Sequence, residues 1–267
     1  MSRVNSGGVT IVYDVLNADG PGVPLFLLAG LNGMRQACMK QAIPFSRERP
    51  VVTQDQRGTG ESGKALGVYS IQNMAKDVIA IMDDAGVEKA HMVGTSTGGA
   101  IAQLLCLDYP DRVQTAAICC SWIKCDHFFR RQFEMRKRIL LAMGTEALML
   151  LTSTTLNDPK WFTEHYDELL EREKGLLERA GPPQVDAERI DAIMAFDESK
   201  RLGQIKTPVT VIGAKNDAVC PPYYSEQLAR AIPGAKLSLY EDGGHFFYLV
   251  HADRFNAEIR DFMTLHE

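Results

Sequence analysis

Apolar residues follow two rhythms along this chain, and the rhythms alternate. Short, nearly continuous apolar runs occur at VTIVYDVL (9–16), PLFLLAG (24–30), VVTQD (51–55), AHMVG (90–94) and VQTAAICC (113–120). Two more, VTVIG (209–213) and KLSLYE (236–241), return near the end. Several of these runs end in Gly or Asp, which is how strands buried on both faces of a parallel sheet read. Between them, apolar positions recur three and four apart in MAKDVIAIMDDAG (74–86), GAIAQLLCLDYP (99–110), SEQLARAIPG (225–234) and RFNAEIRDFM (254–263). That spacing predicts helices. Strand and helix alternating in this way predict an α/β fold with a mostly parallel central sheet flanked by helices.

The middle of the chain breaks the alternation. Strand character disappears, and FRRQFEMRKRILLAMG, EALMLLTSTTL, PKWFTEHYDELLEREKGLLERAG and DAERIDAIMAFDES all carry helical spacing. Opposite charges fall four apart, as in Glu168 and Arg172. An all-helical block inside an α/β chain predicts an insertion over one end of the sheet. The expected organisation is a core from 1–121, a helical cap (lid) over 122–203 and the rest of the core over 204–267.

Composition narrows the function classes. The chain has 267 residues, 45% hydrophobic and 24% charged, as an ordinary globular protein does. Its formal net charge is -5 and no Lys/Arg block stands out, so no nucleic-acid partner is expected. The start, MSRVNSGGVT, has no apolar signal-like region, and ILLAMGTEALMLL is short and interrupted by Thr145 and Glu146. A cytoplasmic protein with no membrane partner is the expectation. Cysteines at 38, 106, 119, 120, 125 and 220 make no CxxC pair with a matching cluster, so neither a metal site nor disulfides are expected. The sequence leaves the oligomeric state open, a homodimer included.

The chemistry centres on Gly94-Thr95-Ser96-Thr97-Gly98, a G-x-S-x-G pattern between a predicted strand and a predicted helix. A sharp strand-to-helix turn exposes the central serine and leaves no room for side chains two residues to either side. No phosphate-binding G-x-x-x-x-G-K-[ST] pattern is present. A serine hydroxyl needs a base, and the base needs an orienting acid. His245, in EDGGHFFYL, and Asp217, in IGAKNDAVCPP, follow late strands in the order Ser, acid, His. Asp242 is the competing acid, and His91, His127, His165, His251 and His266 are the competing histidines. Main-chain N–H groups of Thr97 and of Leu31, in PLFLLAGLNG, are the expected oxyanion donors. Asn32 is expected to add a side-chain contact or to serve the turn.

With these residues in place, the chain resembles a capped member of the α/β-hydrolase superfamily over nearly its whole length. The resemblance rests on LLAGLNG, DQRGTGES (55–62), VGTSTGGAIAQ, GAKNDAVCPP and GGHFFYLVHADRFN. It implies that Asp55 and Arg57 are scaffold. YSIQNMAKDV, LDYPDRV and CSWIKCDHFFRRQFEMRKRIL are similar to the branch of 3-oxoadipate enol-lactonases and aminoacrylate hydrolases. Ala29 departs from the His that relatives often carry there, and Phe246 from the Trp that follows the His in C–C hydrolases. Ser96 stands where dehalogenases and epoxide hydrolases use Asp.

These readings together predict a cofactor-independent serine hydrolase of a small, carboxylated metabolite, cleaving an ester, lactone or related carbonyl bond. C–C or C–N hydrolysis, a slow-turnover ligand receptor and cofactor-free oxygenation stay open beside it. Arg130, Arg131 and Arg136 open the cap, where a guanidinium suits a substrate carboxylate and a solvated helix face is the alternative. Trp122 and Phe246 are expected to line the pocket, Trp122 in competition with packing.

Overall fold

The structure, a computed structural model, describes residues 1–31 and 33–267. In chain order the elements are β1 (Ser2–Ser6), β2 (Val9–Leu16), β3 (Leu25–Leu28), α1 (Met39–Phe45), β4 (Val51–Asp55), α2 (Ile71–Asp84), β5 (Ala90–Thr95), α3 (Thr97–Asp108) and β6 (Val113–Cys119). A helical stretch follows: α4 (His127–Met143), α5 (Thr145–Leu156), α6 (Pro159–Glu164), α7 (Tyr166–Leu177) and α8 (Pro183–Ala195). The chain then returns to the sheet with β7 (Val209–Ala214), α9 (Pro222–Ala231), β8 (Lys236–Tyr240), α10 (Phe247–Val250) and α11 (Ala252–Thr264).

Among the described residues the strands form one 8-stranded sheet in the order β1-β2-β4-β3-β5-β6-β7-β8. β1 and β2 are antiparallel to their neighbours, and every pairing from β4 to β8 is parallel. Every residue of β3, β5 and β7 is buried, because helices cover both faces there. No helix among the described residues is long and apolar enough to cross a membrane.

α4 to α8 sit between β6 and β7, and short contacts close the base of this stretch. Lys124 bridges to Asp197, and the Glu198 amide donates to the Ile123 carbonyl at 3.1 Å. Asp126 caps α4 by accepting from the Phe129 amide at 2.9 Å, and it also accepts the hydroxyls of Tyr223 and Tyr224, on α9, at 2.8 and 2.6 Å. The DQRGTGES loop is held as firmly. The Arg57 guanidinium grips Asp77 with two bonds of 2.7 and 2.5 Å, and Asp55 accepts the amides of Arg35 and Glu61, both at 2.9 Å. Both residues are buried in these contacts.

His91 is enclosed in β5, with Nδ1 2.8 Å from the Thr115 hydroxyl. Burial, then the nearby Arg49 charge, push its pKa down to about 4. In the unfolded chain a histidine takes its proton near pH 6.5. The unfolded state therefore binds more protons between about pH 6.5 and 4, and stability falls as the solution is acidified through that window. Urea unfolding at pH 7 and 4.5 should show wild type losing about 2 kcal/mol more than His91→Gln. Parallel losses would mean His91 does not set this acid sensitivity.

Candidate active site

β5 ends at Thr95 and α3 begins at Thr97, so Ser96 alone makes the turn between them. It does so at φ 55 and ψ -116, a conformation strained by roughly 1–3 kcal/mol for a residue with a Cβ. Neighbouring bonds hold it there. The Ser96 amide donates to the Cys119 carbonyl at 2.8 Å, and the Ser121 hydroxyl donates to the Ser96 carbonyl at 2.9 Å. The flanking glycines are dictated by space: a side chain at Gly94 would run into the Gly98 carbonyl, and one at Gly98 into the Leu28 carbonyl.

Asp217 lies past the end of β7, buried. Its Oδ1 accepts the amides of Val219 and Cys220, both at 2.8 Å, while its Oδ2 lies 2.7 Å from His245 Nδ1. A carboxylate accepts only, so the proton belongs on Nδ1 and the Nε2 lone pair is left for other work. The loop before His245 turns through Gly243 and Gly244, at φ 99 and 62, and the Gly244 amide donates to Asn216 Oδ1 at 2.9 Å. Asp242 is engaged elsewhere, 2.5 Å from His251 Nε2. His91 is locked in the sheet, His165 stacks on Trp161 at 4.3 Å, and His127 is exposed at the start of α4. Asp217 and His245 are thus the pair the structure brings together.

Ser96 and His245 line one cavity of about 540 Å³ between the sheet and the helical stretch. No hydrogen bond joins Ser96 Oγ to His245 among the described residues; such contacts commonly tighten only in the substrate complex. Leu31 also lines the cavity, and Thr97 opens α3 beside Ser96. Neither amide donates to an acceptor among the described residues. Asn32 lies outside the described residues.

The other expected contacts separate clearly. Arg136 lines the cavity and is only 6% exposed. Its guanidinium lies over the Phe133 ring at 4.9 Å and donates to Thr155 Oγ1 at 3.3 Å, with no carboxylate partner among the described residues. Desolvation lowers its pKa, and a guanidinium still stays protonated. Arg130 and Arg131 are exposed and do not line the cavity, because α4 turns them toward solvent. Trp122 does not line it either. It is fully buried, 4.6 Å from Phe129 and 6.1 Å from Phe196 between ring centroids, so it packs the base of the helical stretch. Phe246 does line the cavity, with the Arg172 guanidinium 4.9 Å above its ring.

Cys120 Sγ, an Asp217 oxygen and a His245 nitrogen lie within 4.8 Å of one another. Burial, then the Asp217 charge, push the Cys120 thiol well above its ordinary pKa. Cys120 thus stands directly beside the Asp217–His245 bond. Sequence reasoning missed three further contributors. Asn216 holds Gly244 and also donates to Asp158 Oδ2, at the start of α6, at 2.8 Å. Gln56 and Arg189 form a buried contact below the loop that carries Leu31. Gln56 and Asn216 had a signal, their places inside DQRGTGES and GAKNDAVCPP, and Arg189 had none.

The sheet order, the strand–serine–helix turn and the acid and histidine at later strand ends define a class. The chain belongs to the alpha/beta hydrolase fold family, whose model matches residues 23–252. A relative from Azorhizobium caulinodans named "Putative carbamate hydrolase RutD" is 36% identical over 262 residues, covering 98% of each chain. Among solved structures, the enol-lactonase of Burkholderia xenovorans superposes with a TM-score of 0.91 at 23% identity, over 98% of this chain and 100% of the other. Est816, an N-acyl homoserine lactone degrading enzyme, superposes at 0.86 with 29% identity, over 98% and 100%. The chain is a hydrolase of this fold.

The geometry ranks the two acids. Asp217→Asn should lower the turnover of p-nitrophenyl esters by about 10⁴, the cost of leaving a catalytic imidazole in the wrong tautomer in a serine protease. Asp242→Asn should stay within tenfold of wild type. The reverse ranking would reassign the acid.

Proposed function

We propose that the chain is a serine hydrolase in which Ser96 attacks a carbonyl carbon. The observation that carries this reading is the 2.7 Å bond from His245 Nδ1 to Asp217, facing the cavity that Ser96 enters from its strained turn. His245 Nε2 takes the hydroxyl proton as the Ser96 Oγ–carbon bond forms. The Leu31 and Thr97 amides hold the resulting oxyanion. The imidazolium, oriented by Asp217, then protonates the leaving group, and water releases the acyl group by the same route. This chemistry uses side chains, main-chain amides and water, with no cofactor or metal. The helical stretch from 122–203 serves as a cap that shapes the cavity and keeps bulk water from the acyl-enzyme.

The proposed substrate is a small, carboxylated metabolite with an ester, lactone or related carbonyl bond. The buried Arg136 guanidinium, without a carboxylate partner among the described residues, supports the carboxylate. A cavity of about 540 Å³ suits a small molecule, and two of the similar proteins are named for lactones. Cleavage of a C–N bond is the second reading, favoured by the carbamate hydrolase name of the Azorhizobium relative.

Ser96→Ala should lower p-nitrophenyl ester turnover by several orders of magnitude without changing the unfolding midpoint. Activity within tenfold of wild type would overturn the serine mechanism. For matched acid and methyl-ester substrates, wild type should prefer the acid by about tenfold to a hundredfold, the worth of one charge-assisted bond. That preference should collapse in Arg136→Ala and persist in Arg130→Ala and Arg131→Ala. A neutral-substrate preference, or an unchanged gap in Arg136→Ala, would make the pocket simply apolar.

A further inference from the structure

Gln56 sits directly beneath the loop that leads from β3 to Leu31, and it grips that loop at two places. Its Nε2 donates to the Ala29 carbonyl at 2.8 Å, and its main-chain amide donates to the Gly33 carbonyl at 2.8 Å. Thr59 Oγ1 adds a second bond to the Gly33 carbonyl at 2.8 Å. Ala29, two residues before Leu31, and Gly33, two residues after it, are therefore both tied to the 56–59 turn. A carboxamide can face either way, and only one way works here, with nitrogen toward Ala29.

The helical cap decides the orientation. Arg189, on α8, donates from Nη2 to Gln56 Oε1 at 2.8 Å. A guanidinium has donors only, so it fixes the oxygen on its own side and leaves the nitrogen for Ala29. Flipping the amide would set donor against donor and oxygen against oxygen away from bulk solvent, since Arg189 and Gln56 are 0% and 1% exposed. Arg189 is itself held. Asp186, which lines the cavity, lies 3.5 Å from Nη1, and the 56–60 turn presses so close that a side chain at Gly58 would meet Arg189 Cδ at 2.9 Å.

We infer that Arg189 is a positioning residue of the cap that aims the Leu31 oxyanion donor through Gln56 and the Ala29 carbonyl. The inference rests on the serine-hydrolase reading above. Oxyanion donors work only within about 2.7–3.1 Å of the developing charge, and losing one outright costs about 10²–10³ in rate. A donor left in place but misaimed should cost less, about tenfold to a hundredfold in kcat.

The test uses p-nitrophenyl acetate as substrate and 2,2,2-trifluoroacetophenone as an inhibitor that forms a serine hemiketal oxyanion. Gln56→Glu keeps an acceptor for Arg189 but turns an oxygen toward the Ala29 carbonyl, and Arg189→Met removes the donor. Both should lower kcat about tenfold to a hundredfold per folded protein, with KM within about threefold, and raise the inhibitor Ki by a matching factor. Arg189→Lys, which still donates and stays charged, should recover part of both. Unchanged kcat and Ki in Gln56→Glu and Arg189→Met, even with a lowered melting temperature, would overturn the inference and leave a purely structural contact. Should Arg189→Met fail to fold, Gln56→Glu decides alone, because it retains the partner of the buried guanidinium. Ser96→Ala, run beside them, separates the two readings. If it keeps turnover, the serine mechanism falls; if it is inactive while the other variants are normal, only the positioning role falls.

Discussion

Ser96 is held at φ 55, where a side-chain-bearing residue does not rest unaided, and much of the surrounding structure exists to keep it there. The strain has a geometric purpose. A turn of one residue between a parallel strand and a helix leaves the Ser96 hydroxyl on the cavity wall and puts Thr97 at the first position of α3, beside it. The Cys119 carbonyl and the Ser121 hydroxyl brace the turn from the β6 side, and close contact with the Leu28 carbonyl leaves no room for anything but glycine at 98. β3, β5 and β6 must therefore lie side by side and in parallel, as the sheet order has them.

The second fixed element is the His245 imidazole. Asp217 spends one oxygen on two main-chain amides and the other on His245, so the imidazole is held by a carboxylate that is itself fixed. The helical stretch reaches into this arrangement at separate points. Asp158 meets Asn216, which holds Gly244 just before His245; Arg189 meets Gln56, beneath the Leu31 loop; and Arg136 enters the cavity as a buried cation. The helical stretch and the sheet are thus connected both at the loop before His245 and at the loop that carries Leu31.

Much of this was legible in the residue pattern. All seven apolar runs are strands, and in β3, β4, β5 and β7 two-sided burial writes itself as unbroken hydrophobicity. β1 escaped because SRVNS is a polar edge strand paired on one side, with β2, and α1 because MKQAIPF is short and contains Pro44. Glycine spacing and chain order pointed to Ser96, Asp217 and His245 because strand ends on a parallel sheet converge at one edge. The contacts of the helical stretch were harder to read. Arginines at 130, 131 and 136 look alike in sequence, and only the rotation of α4 separates two exposed ones from one buried one. Trp122 read as pocket or packing with equal right until Phe129 and Phe196 closed around it. Gln56 and Arg189 are 133 residues apart, and no local pattern announces a pair at that distance.

The central claim is that Ser96 carries the acyl group. Incubating the protein with a fluorophosphonate, digesting it and locating the adduct by mass spectrometry tests this directly. The account predicts one phosphonyl group per chain, on Ser96, with no labelling of Ser96→Ala and strongly slowed labelling of His245→Ala. Labelling of another residue, or none in a preparation that turns over esters, would contradict it.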